Sequence, residues 1–211
     1  LKAKTRACAW CRRISSILKE NVCVTDLRPI TALGAVTPGY ASFGAIELRE
    51  NVGLALASLA LRRGTVEPTP FGLTLPGPGR WVAGQGVAAL WTGPDQWTIE
   101  GEGCAELDFA AELKQLAPGC SATEQTDGWV AFEIVSRAGT GPLEALLSKL
   151  VNIDLANFGP GRATRTGVEH MSCFVIRRGD LHAAMLGARS SAGSLWHALE
   201  TAAKRLEEKV A

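Results

Sequence analysis

The strongest constraint on what this chain folds into is an internal repeat of its turn and helix signals. Turn Pro38-Gly39 matches turn Asp127-Gly128 at an offset of 89 residues, and Gly77-Pro78-Gly79-Arg80 matches Gly159-Pro160-Gly161-Arg162 at 82. Gly93-Pro94 matches Gly179-Asp180 at 86, and the apolar helical positions Phe109, Leu113 and Leu116 match Leu195, Leu199 and Ala202 at the same offset. Two copies are too few for a solenoid, whose repeats bury their cores by stacking on one another. The pattern predicts an α+β protein made of two similar β-β-α-β-β-α halves, each an antiparallel sheet backed by helices. The halves span about 24–119 and 120–211, with a basic arm, residues 1–23, outside the fold.

Apolar spacing supplies the helices. Residues 51–63 are Leu/Ala-rich and stop at Gly64; residues 105–117 stop at Pro118-Gly119 with Glu106 and Asp108 at the positive end. Residues 142–150 open on Pro142, a favoured first helical residue, and 192–208 follow Ser190-Ser191 as caps. Strands fall between them. Val130, Phe132 and Ile134 alternate with Ala131 and Glu133 behind the Asp127-Gly128 turn. Gly179-Asp180 separates strands Phe174–Arg178 and Leu181–Leu186, and Gly93-Pro94 separates Ala88–Trp91 from Trp97–Glu100. Pro38-Gly39 separates Thr31–Val36 from Ala41–Arg49.

Composition limits the function classes. With 46% apolar and 20% charged residues over 211 positions, a sizeable core is within reach. The longest apolar run, Leu54 to Leu61, is broken by Ser58 and falls far short of the ~20 residues of a membrane span. A net charge of +1 lacks the basic footprint of a nucleic-acid-binding chain. That balance hides an asymmetry: residues 1–20 carry +5 and the rest −4, and the arm resembles a transit peptide in composition. Cys8, Cys11, Cys23, Cys104, Cys120 and Cys173 are spread irregularly with no secretory apolar segment, which reads as reduced thiols of a cytoplasmic protein. Cys8-Ala-Trp-Cys11 lacks the second ligand pair of a zinc site and the preceding strand of a redox site.

No catalytic constellation emerges. His170, His182 and His197 show no zinc-protease spacing; His170 and Cys173 point to opposite faces of a strand, and His182 reads as a solvent-exposed residue after a turn. Ser42 misses the nucleophile-elbow spacing by one residue. Gly84-Gln-Gly86-Val-Ala-Ala89 fits a dinucleotide fingerprint but opens a strand, where that chemistry needs a helix N-terminus. The two Gly-Pro-Gly-Arg segments lack the Lys-Ser/Thr ending of a phosphate loop and read as connecting turns. Arg177-Arg178 reads as a solvated hairpin tip or as a contact for an acidic partner. Trp91, Trp97, Trp129 and Trp196 sit beside turns and helix starts, where an indole serves either a core or a contact surface. Trp91, Trp97, Arg177, Arg178 and Trp196 are the candidate interface residues.

Five segments carry a family resemblance: Trp91-Thr-Gly-Pro-Asp-Gln-Trp97, Thr126-Asp-Gly-Trp-Val-Ala-Phe-Glu-Ile134, Leu146-Leu-Ser-Lys-Leu-Val-Asn-Ile-Asp-Leu155, Phe158-Gly-Pro-Gly-Arg-Ala-Thr-Arg-Thr166 and Arg189-Ser-Ser-Ala-Gly-Ser-Leu-Trp-His-Ala-Leu199. In this order and spacing they resemble the gamma subunits of heterotetrameric sarcosine oxidases, from about Val24 to Lys204. The resemblance implies a fold similar to the folate-binding half of aminomethyltransferases. It implies a non-catalytic structural or docking subunit beside alpha, beta and delta partners, in a complex that oxidises sarcosine to glycine and peroxide. With tetrahydrofolate that complex yields 5,10-methylenetetrahydrofolate. FAD, FMN, NAD, tetrahydrofolate and zinc are then expected in the other subunits and none in this chain. The alternative is a stand-alone folate-binding protein or aminomethyltransferase-like enzyme, for which Asp127 and Asp154 are the carboxylates to examine. A general interaction module is a third class.

Overall fold

The alternation of Val130, Phe132 and Ile134 becomes the centre of a sheet. A computed structural model describes residues 29–208, so the basic arm, its Cys8-Ala-Trp-Cys11 motif and Cys23 lie outside the described residues. The strands are β1 (Tyr40–Phe43), β2 (Ile46–Glu50), β3 (Ala55–Leu61), β4 (Trp81–Ala83), β5 (Val87–Gly93) and β6 (Gln96–Gly101). After α1 (Phe109–Leu116) come β7 (Cys120–Glu124), β8 (Trp129–Ser136), α2 (Thr140–Leu150), β9 (Arg162–Val168), β10 (Met171–Gly179), β11 (His182–Ala188) and α3 (Ala192–Glu207). They form a six-stranded sheet ordered β1-β2-β8-β11-β10-β9 and a five-stranded sheet ordered β4-β5-β6-β3-β7. Every strand pairing within them is antiparallel.

Period-2 alternation decides what each face meets. Phe132 and Ile134 of β8, Val175 of β10 and Met185 of β11 face α2 and α3, packing with Leu146, Leu147, Leu195 and Leu199. Ala57, Leu59, Trp97 and Ile99 face α1 and pack on Phe109 and Leu113. The opposite faces meet each other through Leu56, Leu90, Phe174, Ile176 and Leu186. The order is therefore helices, sheet, sheet, helix, with three apolar layers between them. The first turn of α1 is capped twice: Asp108 accepts from the Ala111 N–H at 3.0 Å and Glu124 from the Ala110 N–H at 3.0 Å.

The α+β class with antiparallel sheets holds, while the expected order of elements does not. Residues 51–63 are not a helix; Ala55–Leu61 is β3, paired on both edges with β6 and β7. A short apolar run of helix formers is ambiguous by itself, and two-sided pairing in a buried sheet overrides propensity. Thr31–Val36 is a turn rather than a strand, closed by the Thr31 N–H to the Ala35 carbonyl at 2.8 Å. Ala41–Arg49 is not one strand but a hairpin broken at Gly44, whose φ of 53° suits glycine. Asp127-Gly128 does not join a hairpin: it lies in a 3₁₀ turn that passes the chain from one sheet to the other. Ser190 and Ser191 form a 3₁₀ turn before α3 and make no side-chain cap. The hairpins at Gly93-Pro94 and Gly179-Asp180 form where expected.

The two sheets share one local order, β4-β5-β6-β3 against β9-β10-β11-β8, and each set ends in a helix, α1 or α3. The remaining strands are exchanged. β2, from early in the chain, completes the later sheet, and β7, from after α1, completes the earlier one. A cut near 119/120 therefore separates no independent bodies. The two Gly-Pro-Gly-Arg segments meet face to face: the Trp81 N–H donates to the Gly161 carbonyl at 2.9 Å and the Ala163 N–H to the Gly79 carbonyl at 3.1 Å.

Candidate functional site

The same alternation that buries Phe132 and Ile134 turns Glu133 toward the other sheet, where it joins a charged cluster. Arg178 of β10 donates from Nη1 to Glu100 of β6 at 2.6 Å and from Nε to Glu133 of β8 at 3.1 Å. His182 Nε2 of β11 lies 2.7 Å from the same Glu133 oxygen. Trp81 of β4 donates its indole N–H to Glu100 at 3.3 Å, and the Arg178 guanidinium stacks over that indole at 5.2 Å. Asn51 spans Glu102 and Glu133 at 3.1 and 3.4 Å. One guanidinium thus ties two carboxylates on two sheets.

Burial sets the electrostatics. Glu100 is only 2% exposed. Its burial raises the carboxyl above the ordinary range by more than Arg178 offsets. Burial also works to raise Glu133, but the hydrogen bond to His182 and the charge of Arg178 outweigh it and hold that carboxyl below its usual value. The Arg178 guanidinium is pushed down by burial and up, more strongly, by Glu100 and Glu133. Glu100 Oε1 and Arg178 Nη2 are buried with no partner among the described residues. A half-open cavity of about 490 Å³ is bounded by Glu102, Glu133, Arg178 and His182, and Glu100 lines an adjoining one of about 170 Å³.

A carboxyl held low in the fold contributes stability above its unfolded pKa and loses it as pH falls through the folded one. Glu100, held high, has the opposite sign. Glu133→Gln is therefore expected to lower Tm at neutral pH, with the gap to wild type narrowing below about pH 4, where unfolded carboxyls protonate. Thermal unfolding of both proteins from neutral pH into the acid range checks this, and a gap that widened toward acid would contradict it.

Of the predicted site residues, Trp91 and Trp97 are cross-strand partners on β5 and β6, and the five do not gather at one site. Arg178 is not at a solvated hairpin tip but inside the cluster just described. Arg177 is 3% exposed and donates to the carbonyls of Gly179 at 2.9 Å and Asp180 at 2.5 Å, bracing its own hairpin. Trp97 is 4% exposed, its indole N–H on the Pro76 carbonyl at 2.8 Å. Trp91 packs half-buried against the α1 layer, and Trp196 tilts against Phe132 at 5.1 Å. His182 is half-buried on Glu133 rather than free in solvent. Asp154 caps the 3₁₀ turn Leu155–Asn157, and Asp127 stands exposed on a different cavity. Glu100, Asn51 and Trp81 escaped the sequence reading because a single carboxylate or amide in a strand carries no local signal. Among the described residues, no group of three or more His, Cys, Asp or Glu could hold a metal ion. No helix there is long and apolar enough to cross a membrane.

No protein-family model matches this chain, and no curated protein does. Solved structures do. The chain shares its fold with a chain of heterotetrameric sarcosine oxidase. That protein, from Corynebacterium sp. U-96 and solved in complex with pyrrole 2-carboxylate, superposes with a TM-score of 0.66 at 22% identity. The match covers 79% of this chain and 88% of that one. Aminomethyltransferase T of the glycine cleavage system from Bartonella henselae aligns at a TM-score of 0.49 and 13% identity, over 72% of this chain and 44% of that one.

Proposed function

We propose that this chain is a non-catalytic structural subunit, of the gamma type, in a heterotetrameric sarcosine oxidase. The observation that carries the reading is the fold shared with a chain of such a complex, over most of both chains. Near-equal coverage means chains of similar size, so the likeness is to a whole subunit rather than to one domain of a larger enzyme. The charged cluster is compatible with it: the Arg178 guanidinium holds Glu100 and Glu133 across the two sheets, an arrangement that ties the sheets together. A mean hydropathy of +0.09 suits a chain with surface to cover in an assembly. In this reading the alpha, beta and delta subunits bind the flavins, NAD, tetrahydrofolate and zinc. The complex demethylates sarcosine to glycine with peroxide or methylenetetrahydrofolate as second product. This chain covers apolar surface and helps to keep the reactive imine from water.

Purification from its own host under native conditions tests the assignment. The expected result is a yellow complex far above 22.3 kDa that consumes oxygen with sarcosine. A colourless monomer of the chain's own mass would overturn it. The second reading, a stand-alone folate-binding protein, has one observation in its favour, the half-open cavity beside Glu133 and Arg178. A colourless monomer that bound tetrahydrofolate in calorimetry would establish that reading instead.

A further inference from the structure

A third cavity, of about 340 Å³, opens between β3 and β8 on the Asp127 side. Its lining is mixed, and its apolar part is made by Leu54, Leu56, Val130 and Ala131, which are buried, and Trp129, which is half-buried. Its mouth carries Ile30, Val36 and Val52, exposed by 57%, 74% and 49%. Single exposed apolar side chains are ordinary, but three around one concavity mark a contact surface. The charge around it is one-sided. Among the described residues, Glu50, Glu106 and Asp127 line it against Arg189 alone. Glu50 accepts from the Leu33 and Gly39 N–H groups, and Arg189 donates to the Ile30 carbonyl. Glu106 and Asp127 stand exposed at the rim with no partner among the described residues.

We propose that this cavity receives an extended segment of a second protein chain, one that inserts a large apolar side chain flanked by Lys or Arg. The apolar part of the lining takes the anchor and the acidic rim takes the flanking cations, which also steer encounter and fix register. Pro38, Glu50, Asn51 and Val52 are shared with the 490 Å³ cavity, so the concavity continues as a groove, which suits an extended segment better than a compact ligand. A second copy of this chain fits poorly, because a two-fold contact sets acidic rim against acidic rim. Anionic lipid and nucleic acid meet the same repulsion. The inference stands on the surface itself and holds or fails independently of which complex the chain joins.

Two labelled synthetic peptides test it, titrated against the full chain by fluorescence anisotropy. One carries Leu-Trp between pairs of Lys and Arg; the other replaces those cations with Glu and Asp. The expected result is saturable binding of the basic peptide, weakened by salt, and none of the acidic one. Binding should fall at least tenfold in Asp127→Lys combined with Glu106→Lys, and also in Val36→Asp, each checked by circular dichroism for an intact fold. No saturable binding of the basic peptide, or equal binding by the charge-reversed chain, overturns the proposal. Self-association abolished by Val36→Asp assigns the surface to a second copy instead. Binding seen only after removal of residues 1–28 assigns it to the chain's own basic residues, and either result also overturns it.

Discussion

Arg178→Ala should lower stability by about 3–5 kcal/mol, the usual cost of breaking a buried ion pair from one side, and Tm by roughly 6–20 °C for a chain of this length. The size follows from what is left behind. Glu100 is 2% exposed and would keep only the Trp81 N–H at 3.3 Å as a donor. Glu133 would keep His182 and Asn51, so most of the loss falls on Glu100. The stacking of the guanidinium on Trp81 goes too. Removing the charge together with its dependent partner should therefore recover part of the loss. Glu100→Gln with Arg178→Met is expected to unfold at a higher temperature than Arg178→Ala, because a neutral amide costs less to bury than a carboxylate. Urea titrations measure both. If Arg178→Ala cost under about 1 kcal/mol, water would have to reach Glu100, and the cluster would have to behave as a surface ion pair.

Phe132→Ala is the second large effect, at about 3–5 kcal/mol. Phe132 is fully buried on β8, with β2 on one side and β11 on the other. Its ring meets Trp196 of α3 at 5.1 Å. Truncation opens a void at the point where the six-stranded sheet holds α3. Neighbouring side chains cannot close it without leaving their rotamers, so lost transfer energy and lost packing add. The urea midpoint should fall with the slope unchanged, since the same surface is exposed on unfolding. Near-UV circular dichroism should weaken as the Trp196 indole loses its fixed neighbour. A loss under about 1 kcal/mol would mean that α3 collapses onto the sheet and refills the space, outside the usual range for this substitution.

What the sequence revealed and what it hid divide by distance along the chain. The Gly93-Pro94 and Gly179-Asp180 hairpins were legible because a turn and its two strands lie within about twenty residues, and their turn residues act locally. Helices α1, α2 and α3 were legible from apolar spacing; Pro142 proved to lie two residues inside α2 rather than at its start. β3 was hidden because Ala and Leu favour a helix, and the pairing that decides otherwise, Leu59 with Trp97 and Ala122, lies far along the chain. The charged cluster was hidden for the same reason. Arg178 was noticed as a charge, but its partners Glu133 and Glu100 are 45 and 78 residues away. The repeat itself was visible only as punctuation. Which strands completed which sheet was not, because β2 and β7 carry no mark of the sheet they join.

That exchange has a consequence for biosynthesis. β4, β5, β6 and β3 have all been made once Gly101 leaves the ribosome, and can begin to pair while the rest is being translated. The β1–β2 hairpin cannot join anything at that stage. Its partner strand begins at Trp129, and Leu48 pairs with Ile134. Until then Ile46 and Leu48 stay open to water and to the other nascent chains on the same messenger. Long-range pairing of this kind folds slowly and leaves strand edges available to neighbours. The earliest strands of the fold thus wait through about eighty residues of synthesis for their partner, longer than any of the hairpins that follow them.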